Sequence, residues 1–158
     1  MVGHMDRLAT VCVADPILSS GIVRTSAGIS ILMYHSISDD PETGVAPYYR
    51  LATSPSRFRE QMQWLRDGGF DVIDLMEAHR RLQTGATLNH RSVVLTFDDG
   101  FQDFADRAWP VLSDFGYSAT MFLPTAYIGN DRRSFKGRPC LTWDEVRRLR
   151  SGGVIWTT

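Results

Sequence analysis

Ser92-Val93-Val94-Leu95-Thr96-Phe97-Asp98-Asp99-Gly100 is the stretch that decides how this chain is read. An apolar run rich in β-branched residues predicts a buried strand from Ser92 to Phe97. Two carboxylates and a glycine follow it without a spacer. Phe101 to Phe115 then predicts a helix, with Pro110 inside it as a kink. A strand, a tight acidic turn and a helix form one unit of an α/β fold.

Similar units flank it. Ile29-Ser30-Ile31-Leu32-Met33-Tyr34 predicts a buried strand that ends at His35. A polar loop is expected from Ser36 to Thr53. Ser54 and Pro55 then open a helix as N-cap and first residue, with Phe58, Met62 and Leu65 on one face. Gly68-Gly69 stops that helix. Phe70 to Ile73 predicts a strand, and Asp74 caps a helix through about Leu82 that ends near Gly85. Ser118 to Leu123 reads as a further strand and Pro124 to Arg138 as a loop. Thr142 and Glu145 have capping-box spacing at the start of a last helix. Gly152-Gly153 ends it, and Val154 begins one more strand. Alternating strands and helices predict an α/β fold with a mainly parallel sheet or barrel, whose chemistry lies at the C-terminal ends of the strands.

The chain has 158 residues, enough for one domain. Apolar residues make up 43% and charged residues 22%, which excludes a disordered chain. The net charge of -1 offers no basic excess, so nucleic acid is not the expected partner. No apolar run reaches the roughly 20 residues of a membrane helix. Cys12 and Cys140 form neither a disulfide framework nor a zinc-type pair. Residues 1–27 read as a flexible leader and 28–158 as the domain. The apolar run Leu8 to Ala14 is short for a signal peptide and is bracketed by Asp6 and Asp15. The leader therefore gives no export signal, and the localisation stays open.

Asp98 and Asp99 repel each other where water is scarce, unless a cation lies between them. A divalent metal on one carboxylate would leave the other free as a general base. The same letters also suit a plain turn that leads into a helix, and both readings stand at this point. His35 ends its strand at the same end of the sheet and is either a site residue or a satisfied strand-end histidine. His79, beside Arg80 and Arg81, belongs to a solvated face. His90 precedes its strand, at the end opposite Asp99. Trp64, Trp109 and Trp143 read as core or near-core. Arg132, Arg133, Lys136 and Arg138 read as a solvated loop, with steering of an anionic glycan as the sharper alternative.

Four segments together resemble the polysaccharide deacetylase family, also called the NodB-homology or carbohydrate esterase family 4 fold. They are Ile31-Leu32-Met33-Tyr34-His35-Ser36-Ile37, Val94 through Phe101, Ala119-Thr120-Met121-Phe122-Leu123-Pro124, and Leu141-Thr142-Trp143-Asp144-Glu145-Val146. Their order matches over residues 29 to 156. The resemblance implies the N-terminal portion of a distorted (β/α) barrel that removes N-acetyl groups from amino-sugar polymers. Met33-Tyr34-His35 is similar to the branch acting on poly-N-acetylglucosamine-like polymers. By the same resemblance Asp98 is the general base, Asp99 a metal ligand, and His35 lies near the catalytic centre. Zn²⁺ or another divalent ion is the implied cofactor, and an envelope or exported setting is the implied location.

One family feature is missing. The family supplies two more metal ligands from a histidine pair after the strand that begins here at Val154, and this chain reads Val154-Ile155-Trp156-Thr157-Thr158. The expectation is an incomplete barrel with weak or no metal binding, little activity, an exposed apolar interior and open edges suited to self-association. A non-catalytic glycan-binding or interaction module is the alternative. A receiver-like phosphoacceptor would need a separate acidic residue after a later strand, which Ala119 to Pro124 does not offer.

Overall fold

A computed structural model describes residues 28–46, 49–84 and 91–157. Expectations for residues 1–27, for Gly85 and for His90 lie outside the described residues. Five parallel strands form the main sheet: β1 (Ser30–Tyr34), β4 (Asp71–Ile73), β5 (Ser92–Phe97), β6 (Thr120–Phe122) and β9 (Ile155–Thr157). β1 runs beside β5 over its whole length, from Ser30 opposite Val93 to Tyr34 opposite Phe97. β4 pairs with the first half of β5 and β6 with its second half. β9 pairs with β6. Every residue of β5 is buried, as expected of a central parallel strand.

Helix α1 (Pro55–Asp67) starts where the sequence places it, with Ser54 Oγ accepting the Arg57 N–H. Phe58, Met62 and Leu65 are buried against the sheet face that carries Val93, Leu95 and Phe97. Aromatic rings carry this core. Phe97 stacks on Tyr34 at 5.2 Å and meets Phe104 edge-on at 4.7 Å. Helix α2 (Leu75–Thr84) is capped by Asp74 Oδ1, which accepts the Glu77 N–H at 2.8 Å. Its Ala78 and Leu75 pack against Ile73 and Val94 on the opposite face of the sheet.

Several expectations need correction. The run from Phe101 to Phe115 is not one helix. A π-helix (Phe104–Ala108) precedes helix α3 (Trp109–Phe115), and the Trp109 N–H reaches back to the Phe104 carbonyl. Pro110 has no N–H to donate and its ring conflicts with a regular turn, so the backbone widens just before it. The Ser36–Thr53 loop contains a short parallel pair, β2 (Ser36–Ile37) with β3 (Ala52–Thr53). The Pro124–Arg138 loop contains a 3₁₀ turn and a hairpin of β7 (Ser134–Phe135) and β8 (Arg138–Pro139). β1 is not wholly buried. Ile31 and Met33 are 56% and 62% exposed, and Phe122 of β6 is also exposed. These side chains lie on the face opposite Tyr34 and Met121, the face that also carries Val94. Trp64 is also outside the core, 44% exposed and tilted on Phe70.

The turn after β5 uses two left-handed residues in succession, Asp99 at φ +67 and Gly100 at φ +56. Asp tolerates that region better than most residues, and Gly adopts it without strain. A Cβ on Gly100 would also lie 2.8 Å from Leu123 Cδ2. Gly100→Ala should therefore destabilise the fold by about 2 kcal/mol in urea unfolding. A neutral result would mean that the turn relaxes.

Helix α4 (Trp143–Ser151) begins with a full capping box between Thr142 and Glu145. Arg132 also pairs with the Glu145 carboxylate at 2.8 and 2.9 Å. Burial alone pushes the Glu145 carboxyl up, but hydrogen bonds from Arg132 and Thr142 outweigh it and hold it below the usual glutamate range. A folded value below the unfolded one gives stability that is complete above the ordinary glutamate range and lost as pH falls through the folded value. Urea midpoints of the wild type and Glu145→Gln should differ near neutrality and converge as pH falls below about 4. A gap that stays constant across that range would contradict this.

Candidate functional site

The parallel register of β1 and β5 brings the two strand ends side by side. The Asp98 N–H donates to the Tyr34 carbonyl at 2.9 Å, one bond beyond the strands. His35 and Asp98 are thus neighbours by backbone geometry. His35 Nε2 lies 3.8 Å from Asp98 Oδ2, with both side chains partly exposed. The distance exceeds a direct hydrogen bond and suits an ion pair whenever the imidazole is protonated. The Asp98 carboxyl is pushed above the usual aspartate range, chiefly by burial. His35 pulls it down and Asp99 pushes it up. A carboxylate with a raised proton affinity is a better general base near neutral pH than an ordinary one.

Asp99 has a different partner. Its Oδ2 is buried and has no hydrogen-bond partner. The nearest opposite charge is Lys136 Nζ at 3.8 Å. A buried carboxylate oxygen that lacks a donor is costly unless a cation meets it. Asp99 therefore fits one ligand position of a divalent-ion site. Among the described residues no group of three His, Cys, Asp or Glu side chains converges as such a site.

The structure joins the three expected site residues at one end of the sheet and leaves His79 exposed on α2. It also adds residues that the sequence reading missed. Ser36 is fully buried, and its Oγ donates to Asp103 Oδ2. Arg138 donates to Ser36 Oγ at 2.7 Å, Ser38 Oγ at 3.1 Å, Asp40 Oδ2 at 2.8 Å and Glu42 Oε1 at 3.2 Å. Glu42 Oε2 in turn accepts the N–H groups of Leu51 and Ala52. One arginine thus clamps the loop after β1 onto the β7–β8 hairpin. Arg138 is consequently no solvated loop charge, and neither is Arg132, which holds Glu145. Arg133 donates to the Ala126 carbonyl. Lys136-Gly137 between two short extended pairs signals the hairpin, but the partners of Arg138 lie 96 to 102 residues away and leave no local signal.

Between the clamped loop and the hairpin lies an open cleft of about 480 Å³. Glu42, Tyr49, Leu51, Phe101, Lys136 and Arg138 line it. Lys136 connects this cleft to Asp99.

The family model of polysaccharide deacetylases matches residues 85–157. Over 81% of its length the chain is 30% identical to Bacillus subtilis YxkH, whose name is that of a polysaccharide deacetylase, and spans 40% of that protein. It is 32% identical to the poly-β-1,6-N-acetyl-D-glucosamine N-deacetylase of Escherichia coli K12, again over 81% of this chain but 20% of the relative. Among solved structures, IcaB from Ammonifex degensii superposes with a TM-score of 0.71 at 25% identity, covering 84% of this chain and 52% of that one. The Streptococcus pyogenes deacetylase PplD, solved with acetate, gives 0.68 at 28% identity, with 84% and 56% coverage. The chain spans about half or less of each of these proteins. The family model, the curated relatives and the solved structures all point to the polysaccharide deacetylase family, of whose members the chain matches only a part.

Proposed function

We propose that this chain carries the base and one metal ligand of a hydrolase that removes N-acetyl groups from an amino-sugar polymer. The observation that carries this reading is the strand-end arrangement, with His35 3.8 Å from Asp98 and the adjacent Asp99 holding a buried oxygen that no hydrogen-bond donor meets. Asp98 is the general base. Its partly buried carboxylate takes a proton from the attacking water, and its raised proton affinity suits that task. His35, beside Asp98, is the group that passes a proton to the leaving amine. Asp99 contributes one ligand to the divalent ion. When bound, such an ion supplies Lewis acidity to the acetamide carbonyl and to water. The cleft beside Lys136 is open, and the exposed Tyr49 ring on its wall offers a flat apolar surface of the kind sugar rings pack against.

The described residues complete no three-ligand cluster, so the rate of the 158-residue chain should be low. That same observation favours a second reading, a glycan-binding module without chemistry. Acetate release from an N-acetylglucosamine oligomer, measured with excess divalent metal, separates the two. The hydrolase reading predicts slow, metal-dependent release that Asp98→Asn abolishes while oligomer binding persists. A general base is worth about a hundredfold or more, so the residual rate should fall to background. Saturable oligomer binding with no release, indifferent to chelator and to Asp99→Asn, would establish the binding module instead. Release that survives Asp98→Asn would assign the base elsewhere.

A further inference from the structure

We infer that Lys136 is a built-in counter-cation for Asp99 and competes with the divalent ion for that carboxylate. The inference rests on reading Asp99 as a metal ligand, and three independent features of the hairpin support it. The first is backbone geometry. The β7–β8 turn passes through Lys136 at φ +50 and Gly137 at φ +76. A hairpin turn of this kind favours Asn, Asp or Gly at its first central position, and lysine there is held in an unfavourable conformation.

The second is where the ammonium lies. Lys136 Nζ is 3.8 Å from Asp99 Oδ2, the same oxygen that has no hydrogen-bond donor. It also lies 4.8 Å from the centre of the Phe135 ring, which attracts a cation through its face. Phe135 packs on Tyr127 at 4.5 Å and on Phe101 at 6.3 Å, so the ring is itself supported. The third is the charge balance around the hairpin. Arg138 is committed to Asp40, Glu42 and the two serines, and Arg132 is committed to Glu145. Lys136 is the basic side chain that the structure pairs with Asp99.

The lysine side chain is 57% exposed on a flexible four-carbon stem, so it can leave Asp99 without unfolding the turn. An ammonium and a divalent ion cannot share one carboxylate oxygen without strong repulsion. Metal entry therefore displaces Lys136 toward the cleft that the same residue lines. The lysine lowers metal affinity while it shields a carboxylate that would otherwise be left unpaired.

The test uses the full 158-residue chain and Mn²⁺, read as paramagnetic broadening of backbone amide signals, which detects weak binding without any turnover. Lys136→Asn removes the charge and suits the left-handed turn, and Lys136→Gln gives a second neutral variant. Both should bind Mn²⁺ about fivefold more tightly than the wild type at low salt, the size expected for one unit charge near 4 Å in a water-like medium. The difference should shrink at high salt, and Lys136→Arg should behave like the wild type. Equal or weaker Mn²⁺ binding in both neutral variants overturns the inference, as does an absence of broadening in every protein. Broadening near Asp99 that survives Asp99→Asn overturns the metal-ligand reading itself, which separates that failure from a failure of the Lys136 role.

Discussion

The hydrogen bond from the Asp98 N–H to the Tyr34 carbonyl is the constraint on which the candidate site depends. It extends the parallel β1–β5 ladder past the end of both strands. Parallel pairing allows no hairpin between partners, so the fold itself must bring residues 35 and 98 together. Tyr34, Phe58, Phe97 and Phe104 interlock beneath that bond and hold the two strand ends at a fixed spacing. Burial holds the Tyr34 phenol far above its usual range, and its hydroxyl donates to Gln61 on α1. The aromatic core therefore keeps one polar contact while it supports the site from below.

Above that core, polar contacts replace apolar ones. Ser36, Asp103, Arg138 and Glu42 form a chain that joins the loop after β1, the start of the π-helix and the β7–β8 hairpin. Backbone bonds run beside it. The Gln102 N–H donates to the Pro139 carbonyl, and the Leu141 N–H donates to the Gly100 carbonyl. The Asp99-Gly100 turn is thus held from the hairpin side as well as from the sheet. Asp99 adopts a left-handed backbone angle, and such strain in a non-glycine residue persists only where the surroundings enforce it. This dual support explains how Asp99 can present a buried oxygen that no donor meets.

Much of this architecture is written locally. Ser54-Pro55, Thr142 with Glu145, and the Gly68-Gly69 and Gly152-Gly153 stops are short-range signals, and each lies at the element boundary that it predicts. β5 is legible because an uninterrupted apolar run suits a strand covered on both faces. β1 looked the same by composition, yet Ile31 and Met33 face outward, because which face is covered depends on elements far away in sequence. The π-turn before Pro110 was visible as a conflict but not in its form. The acidic turn stood out because two carboxylates after an apolar strand are expensive. Arg138 and Lys136 could not be placed, since their partners at Asp40, Glu42 and Asp99 come close only when the sheet has formed.

The Asp98-Asp99 turn divides its tasks between two carboxylates, a proton-accepting one beside His35 and a cation-accepting one beside Lys136. Crystals of the chain grown with Zn²⁺ and measured at the zinc absorption edge test it directly. An anomalous peak is expected within bonding distance of Asp99 Oδ2, about 2 Å. Asp98 should stay unligated beside His35. A peak bridging both carboxylates, or zinc bound elsewhere while Lys136 remains on Asp99, would contradict it.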